Sequence, residues 1–89
     1  MTITIDSPAS LGRAARAARK QLRLTQPQLA LAAGVGVRFI VELEAGKPTL
    51  RLENILRVLH ALGGSLAVNG LTRDRTDDPT RIPATGEAT

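Results

Sequence analysis

Four side chains in one short stretch carry the chemistry this sequence offers: Val37, Arg38, Phe39 and Glu42. An arginine fork matches the O6 and N7 acceptors on a guanine edge. A carboxylate accepts from a cytosine amino group, and Val37 or Phe39 suits a thymine methyl. These are contacts by which a helix in a DNA major groove reads bases. Other roles fit the same residues. Arg38 and Glu42 are four apart with opposite sign, which also suits a surface ion pair. Val37 also suits a core. Phe39, the only aromatic in the chain, also suits packing on the preceding helix or on a partner.

Catalytic chemistry has no foothold. No nucleophile stands beside a base, no glycine loop cradles a phosphate, and the carboxylates are not clustered. Glu42 and Glu44 are two apart on a helix and face different directions. His60 suits the last turn of a helix, where a cation is favoured. With no cysteine and one histidine, thiolate and histidine-rich metal sites are excluded. The expectation is a non-enzyme without a cofactor.

The elements that must position the four residues lie in Thr25 to Gly46. Thr25 and Gln28 form a capping box, with Pro27 in the first turn. Leu29, Ala30 and Ala33 supply a buried stripe, and Gly34 suits a left-handed stop. A second helix restarts near Gly36 or Val37, buries Ile40 and Leu43, and ends at Gly46. Two helices of about eight residues across a glycine turn make a helix-turn-helix unit.

Thr25-Gln26-x-x-Leu29-Ala30, then Gly34-Val35, then Ile40-x-x-Leu43-Glu44-x-Gly46 resembles the lambda-repressor-like (Cro/CI, or XRE) helix-turn-helix. From Ser7 to Val68 the chain is similar to the HipB-type antitoxins of that superfamily. The resemblance implies an all-α bundle of about four helices, with a short C-terminal β-strand that pairs across a homodimer. It implies a sequence-specific repressor on a near-palindromic double-stranded operator, with a HipA-type serine/threonine kinase toxin as partner. A stand-alone regulator or a non-DNA-binding adaptor remain alternatives. By the same resemblance Gln26 contacts phosphate or the first base pair. Thr25, Gly36, Lys47 and Arg51 are the other candidates for the DNA backbone. The chain departs from the family pattern at Gly36, where a polar cap is common, and at Ala45, where Asn is common. Both changes remove a family phosphate contact.

The flanking segments complete the frame. Ser7-Pro8 opens a first helix expected over Pro8 to Arg23. Leu11, Ala15, Ala18 and Leu22 give its core stripe. Arg13, Arg16, Lys20 and Arg23 share another face with Arg19 nearby, and no anion interrupts them. A solvated face normally mixes signs, so this row suits phosphates or an acidic partner as well as plain solvent. A fourth helix is expected over Arg51 to Leu62, capped by Thr49, burying Leu52, Ile55, Leu56, Leu59 and Leu62. Val58 falls off that face and is expected to be partly exposed or to meet a second subunit. Ser65 to Asn69 alternates, with Leu66 and Val68 on one face as the dimerisation strand. Asn69-Gly70 also permits an intrachain hairpin, though a lone hairpin is marginal in water.

Composition agrees with a polyanion binder. Residues 1–70 hold nine Lys/Arg against four Asp/Glu, whereas residues 71–89 hold three against four. The basic charge therefore belongs to the folded part. One aromatic in 89 residues argues against single-strand or RNA binding by base stacking. No apolar run is long enough to cross a membrane. No signal peptide is apparent, so a cytoplasmic, nucleoid-associated protein is expected. The expected organisation is an N-terminal extension over 1–6, a DNA-binding domain with its dimerisation strand over 7–69, and a disordered tail over 70–89.

Overall fold

In the computed structural model, residues 2–71 are described. Four helices follow one another: α1 (Pro8–Gln21), α2 (Gln26–Ala33), α3 (Val37–Glu44) and α4 (Leu52–Ala61). Helix starts follow local chemistry. Ser7 caps α1 and exchanges hydrogen bonds with Ser10, with Pro8 at the first position. Thr25 and Gln28 do the same for α2. Such caps satisfy orphan N–H groups that cost about 0.5–2 kcal/mol each when left open. Gly36 caps α3 without a side-chain bond. Arg51, and not Thr49, caps α4.

The stops are equally local. Gly34 ends α2 at φ 73°, and Gly46 ends α3 at φ 84°. Gly46 also lets Ala9 of α1 come close, since a Cβ there would lie 2.9 Å from the Ala9 Cα. α1 ends two residues earlier than the periodicity predicts. Arg23 takes the left-handed conformation at φ 58°, unusual for a side chain other than Gly or Asn. The Leu24 N–H donates to the Arg19 carbonyl at 3.1 Å, and the Arg23 N–H donates to Lys20 at 3.0 Å. Arg19 then donates from Nη1 to the Leu24 carbonyl at 2.8 Å. That clasp holds a turn for which the sequence has no glycine.

Ala15, Leu29, Ala30, Ala33, Ile40, Leu43 and Val58 form the buried core. α3 packs against α1 and α2, and α4 packs against α2. Three expectations about the core are corrected. Val58 is fully buried within the chain and does not wait for a partner. Leu52 is exposed, and so is Leu22, which lies beyond the end of α1. α4 carries two overlapping apolar stripes: Ile55, Val58 and Leu62, and Leu52, Leu56 and Leu59. The first stripe meets the core, so the helix is rotated from the expected phase and the second stripe is left more open.

No strand occurs among the described residues. Residues 64–69 lie outside any helix, with Leu66 and Val68 exposed. The expected strand over 65–69 is not formed among the described residues, and the second arm of the alternative hairpin falls largely outside them. Of the expected tail, residues 72–89 lie outside the described residues. No described helix is long and apolar enough to cross a membrane.

Candidate nucleic-acid interface

α3 buries Ile40 and Leu43 and turns Val37, Arg38 and Val41 outward. The Arg38 side chain is 89% exposed. Val37 and Val41, one turn apart, are both 45% exposed. A guanidinium flanked by two valines can offer hydrogen-bond donors beside methyl-sized apolar contacts. Phe39 does not share this face. It is half-buried and packed against the core, the packing role that its sequence position also suits. The reason is its phase: residue 39 is four before Leu43 and follows that side chain inward.

Glu42 is recessed beside Arg38 and takes two cations on one oxygen. Its Oε2 accepts from Lys47 Nζ at 3.1 Å and from Arg38 Nε at 3.4 Å. The Lys47 hydrogen bond foremost, with Arg38 adding to it, holds the Glu42 carboxyl below its ordinary value. Lys47 and Arg51 flank the loop after α3, both exposed. Arg51 also lies 3.5 Å from Glu53. On the other side, Thr25 is exposed and its hydroxyl accepts from the Gln28 N–H. The exposed Gly36 presents its backbone at the start of α3.

Gln26 is half-buried and reaches back to a buried ion pair. Its Nε2 donates to Glu44 Oε1 at 3.1 Å. Arg19 grips the same carboxylate with two nitrogens, Nε to Oε2 at 2.6 Å and Nη2 to Oε1 at 3.0 Å. Burial pushes the Glu44 carboxyl up. The hydrogen bonds from Arg19 and Gln26, with the charges of Arg19 and Arg16, outweigh it and bring the carboxyl below its ordinary value. The hydrogen bonds that Arg19 donates to Glu44 raise its guanidinium above its own ordinary value. Arg19 is thus no part of an exposed phosphate or partner surface; it is the buried pin joining α1, α3 and the start of α2. Its place follows from spacing, four residues after Ala15 on the inner face of α1. Glu44, the anchor of Gln26, was missed, because a partner 25 residues away leaves no periodic signal. The other cations of the α1 row, Arg13, Arg16, Lys20 and Arg23, are exposed. None of these four makes an ion pair among the described residues, whereas Arg38, Lys47, Arg51 and Arg57 all do.

No group of residues that could hold a metal ion occurs among the described residues. Comparison with known proteins agrees with the geometry. The helix-turn-helix family matches residues 16–69. The chain is 48% identical over 68 residues to an uncharacterized HTH-type transcriptional regulator, y4mF, of Sinorhizobium fredii, which covers 76% of this chain and 90% of that one. Two short helices across a left-handed glycine, an outward-facing arginine at the head of the second, and a match over more than half its length lead to one assignment: the chain belongs to the helix-turn-helix family.

Proposed function

We propose that this chain is a non-enzymatic transcriptional repressor that binds double-stranded DNA sequence-specifically as a homodimer. The observation that carries the reading is Arg38, almost fully exposed at the head of α3. On this reading α3 enters the major groove and Arg38 meets a guanine, with Val37 and Val41 against thymine methyls. Thr25, Gln26, Gly36, Lys47 and Arg51 meet the flanking phosphates. The row of Arg13, Arg16, Lys20 and Arg23, which makes no ion pair among the described residues, extends that basic surface along α1. The protein would act in the cytoplasm, on the nucleoid.

Duplexes selected from a random pool, followed by a salt titration, test this. Between 50 and 200 mM salt the affinity should fall about 10³–10⁵-fold if ~6–10 phosphates are neutralised. Replacing Arg38 with Ala should cost ~1–3 kcal/mol on the selected duplex. Neutralising Arg13, Arg16 and Lys20 together should make the salt slope shallower by roughly 2–3 per protomer. Salt-insensitive binding would end the DNA reading.

The homodimer draws on two unpartnered surfaces, the half-open stripe of Leu52, Leu56 and Leu59 and the exposed Leu66 and Val68. On a near-palindromic operator the two copies of α3 in such a dimer would have to lie about one DNA turn apart, roughly 34 Å. Sedimentation of a chain ending at Gly64 should show a monomer. A dimer of that shortened chain would remove the strand from the interface.

Resemblance to HipB-type antitoxins supports a narrower reading, in which a HipA-type kinase toxin joins the regulator on its own promoter. The full chain used as bait in its native host distinguishes these cases. Kinase and promoter DNA together would favour the antitoxin, and DNA alone a stand-alone regulator. Protein without DNA would defeat both.

A further inference from the structure

The way Glu42 holds Arg38 points to a second specificity residue. The contact uses Nε, the inner nitrogen of the guanidinium. Nη1 and Nη2, the outer pair that can meet O6 and N7 of guanine end-on, are not engaged. Glu42 is also the recessed member, with its side chain 25% exposed against 89% for Arg38. A carboxylate set behind a guanidinium is poorly placed to reach a base edge. It is well placed to brace the group that reaches past it.

Resting on the DNA-binding reading above, we propose that Glu42 is a positioning residue. It aims the outer nitrogens of Arg38 at guanine, and Lys47 neutralises it against the nearby phosphates. In free solution an exposed pair of this kind is worth little. When the groove excludes water the local dielectric falls and the same pair strengthens. The brace therefore acts where it is needed, in the bound state. Without Lys47, a carboxylate at this place would repel the DNA backbone whatever the sequence. The three side chains form one device: Arg38 reads, Glu42 aims, and Lys47 makes the anion tolerable.

The test is the base preference of four proteins, each selecting from one random duplex pool: wild type, Arg38→Ala, Glu42→Ala and Glu42→Gln. Wild type should fix a guanine at one position of each half-site, and Arg38→Ala should lose it. Glu42→Ala should weaken the same guanine preference at least fivefold while leaving other positions alone. Glu42→Gln should restore most of it, because its amide oxygen still accepts from Nε. A Glu42→Ala protein that keeps its guanine preference overturns the proposal. So does loss of a cytosine at another position, which would make Glu42 a base reader. A uniform rise in affinity with unchanged preference overturns it as well, since Glu42 would then only repel. If wild type selects no sequence, or Arg38→Ala selects the same one, the failure belongs to the DNA reading and the brace falls with it.

Discussion

Replacing Gly12 with Ala should destabilise the domain, although Ala is the better helix former. In the middle of α1 the exchange should add about 0.8–1 kcal/mol of helix propensity. Gly12, however, is buried where α1 crosses the end of α3. A Cβ there collides with the Leu43 carbonyl oxygen and lies 2.9 Å from the Glu44 carbonyl oxygen. Both obstacles are backbone, so no side chain can swing aside, and the two helices must separate. Overpacking that forces backbone shifts typically costs about 1–3 kcal/mol. With both clashes on backbone the cost lies at the top of that range, and we expect a net loss of about 2 kcal/mol, a fall in Tm of roughly 8–16 °C for a domain of this size. Gly34→Ala is the control. Its added Cβ meets nothing within 4 Å, but its φ is 73°, so only conformational strain of about 1–2 kcal/mol is felt. Thermal melts of both proteins decide the matter. A Gly12→Ala protein that melts at or above wild type would mean that the helices are not in such close contact.

Gly12 also shows where reading a sequence stops. Signals that act over three or four residues were legible: Thr25 with Gln28, Ser7 with Pro8, and Gly34 and Gly46 as helix stops. They are legible because cap and partner lie within one turn. Ile40 and Leu43 were legible as the buried side of α3, which left Arg38 on the outer side. What failed was long-range or degenerate. A glycine inside a helical pattern signals weakness, not the carbonyls of a helix 30 residues further on. Leu52, Ile55, Leu56, Val58, Leu59 and Leu62 fit two phases of α4, and only the surface of α2 chooses between them. The left-handed Arg23 had no glycine to announce it. Its turn is closed by Arg19, whose own burial depends on Glu44. The exposure of the base-reading candidates follows the same rule: Val37 and Arg38 face outward, whereas Phe39 follows the core.

Removing Glu44 should be the costliest single polar change in the domain. The Glu44 side chain is 4% exposed and that of Arg19 11%, so neither charge has water to fall back on. Glu44→Ala leaves the Arg19 guanidinium buried with only the Leu24 carbonyl, and it frees Gln26 from its anchor. Breaking one side of a buried pair in this way typically costs about 3–5 kcal/mol. Replacing both partners at once, as Arg19→Met with Glu44→Leu, should cost far less, because no orphaned charge remains. Urea unfolding of the two single variants and the double variant would measure the coupling. Equal losses in all three would sink the pairing as the cause.

Acid should reveal the same contact. The native carboxyl of Glu44 titrates below its ordinary value. The unfolded chain therefore takes up this proton at a higher pH than the native state does. The pair supports folding fully at neutral pH and loses that support as pH falls below about 4.3 towards the native value. Arg19, held above its ordinary value by the same hydrogen bond, stays charged throughout and adds no slope in this range. Wild type should thus lose stability on acidification more steeply than the Arg19→Met/Glu44→Leu protein. On the DNA-binding reading proposed above, Gln26 links this to function, since its amide is held by the carboxylate that acid would protonate. DNA affinity measured on selected duplexes should therefore fall in Glu44→Ala even where the protein remains folded. An unchanged affinity would separate the buried pin from the interface it is built beside.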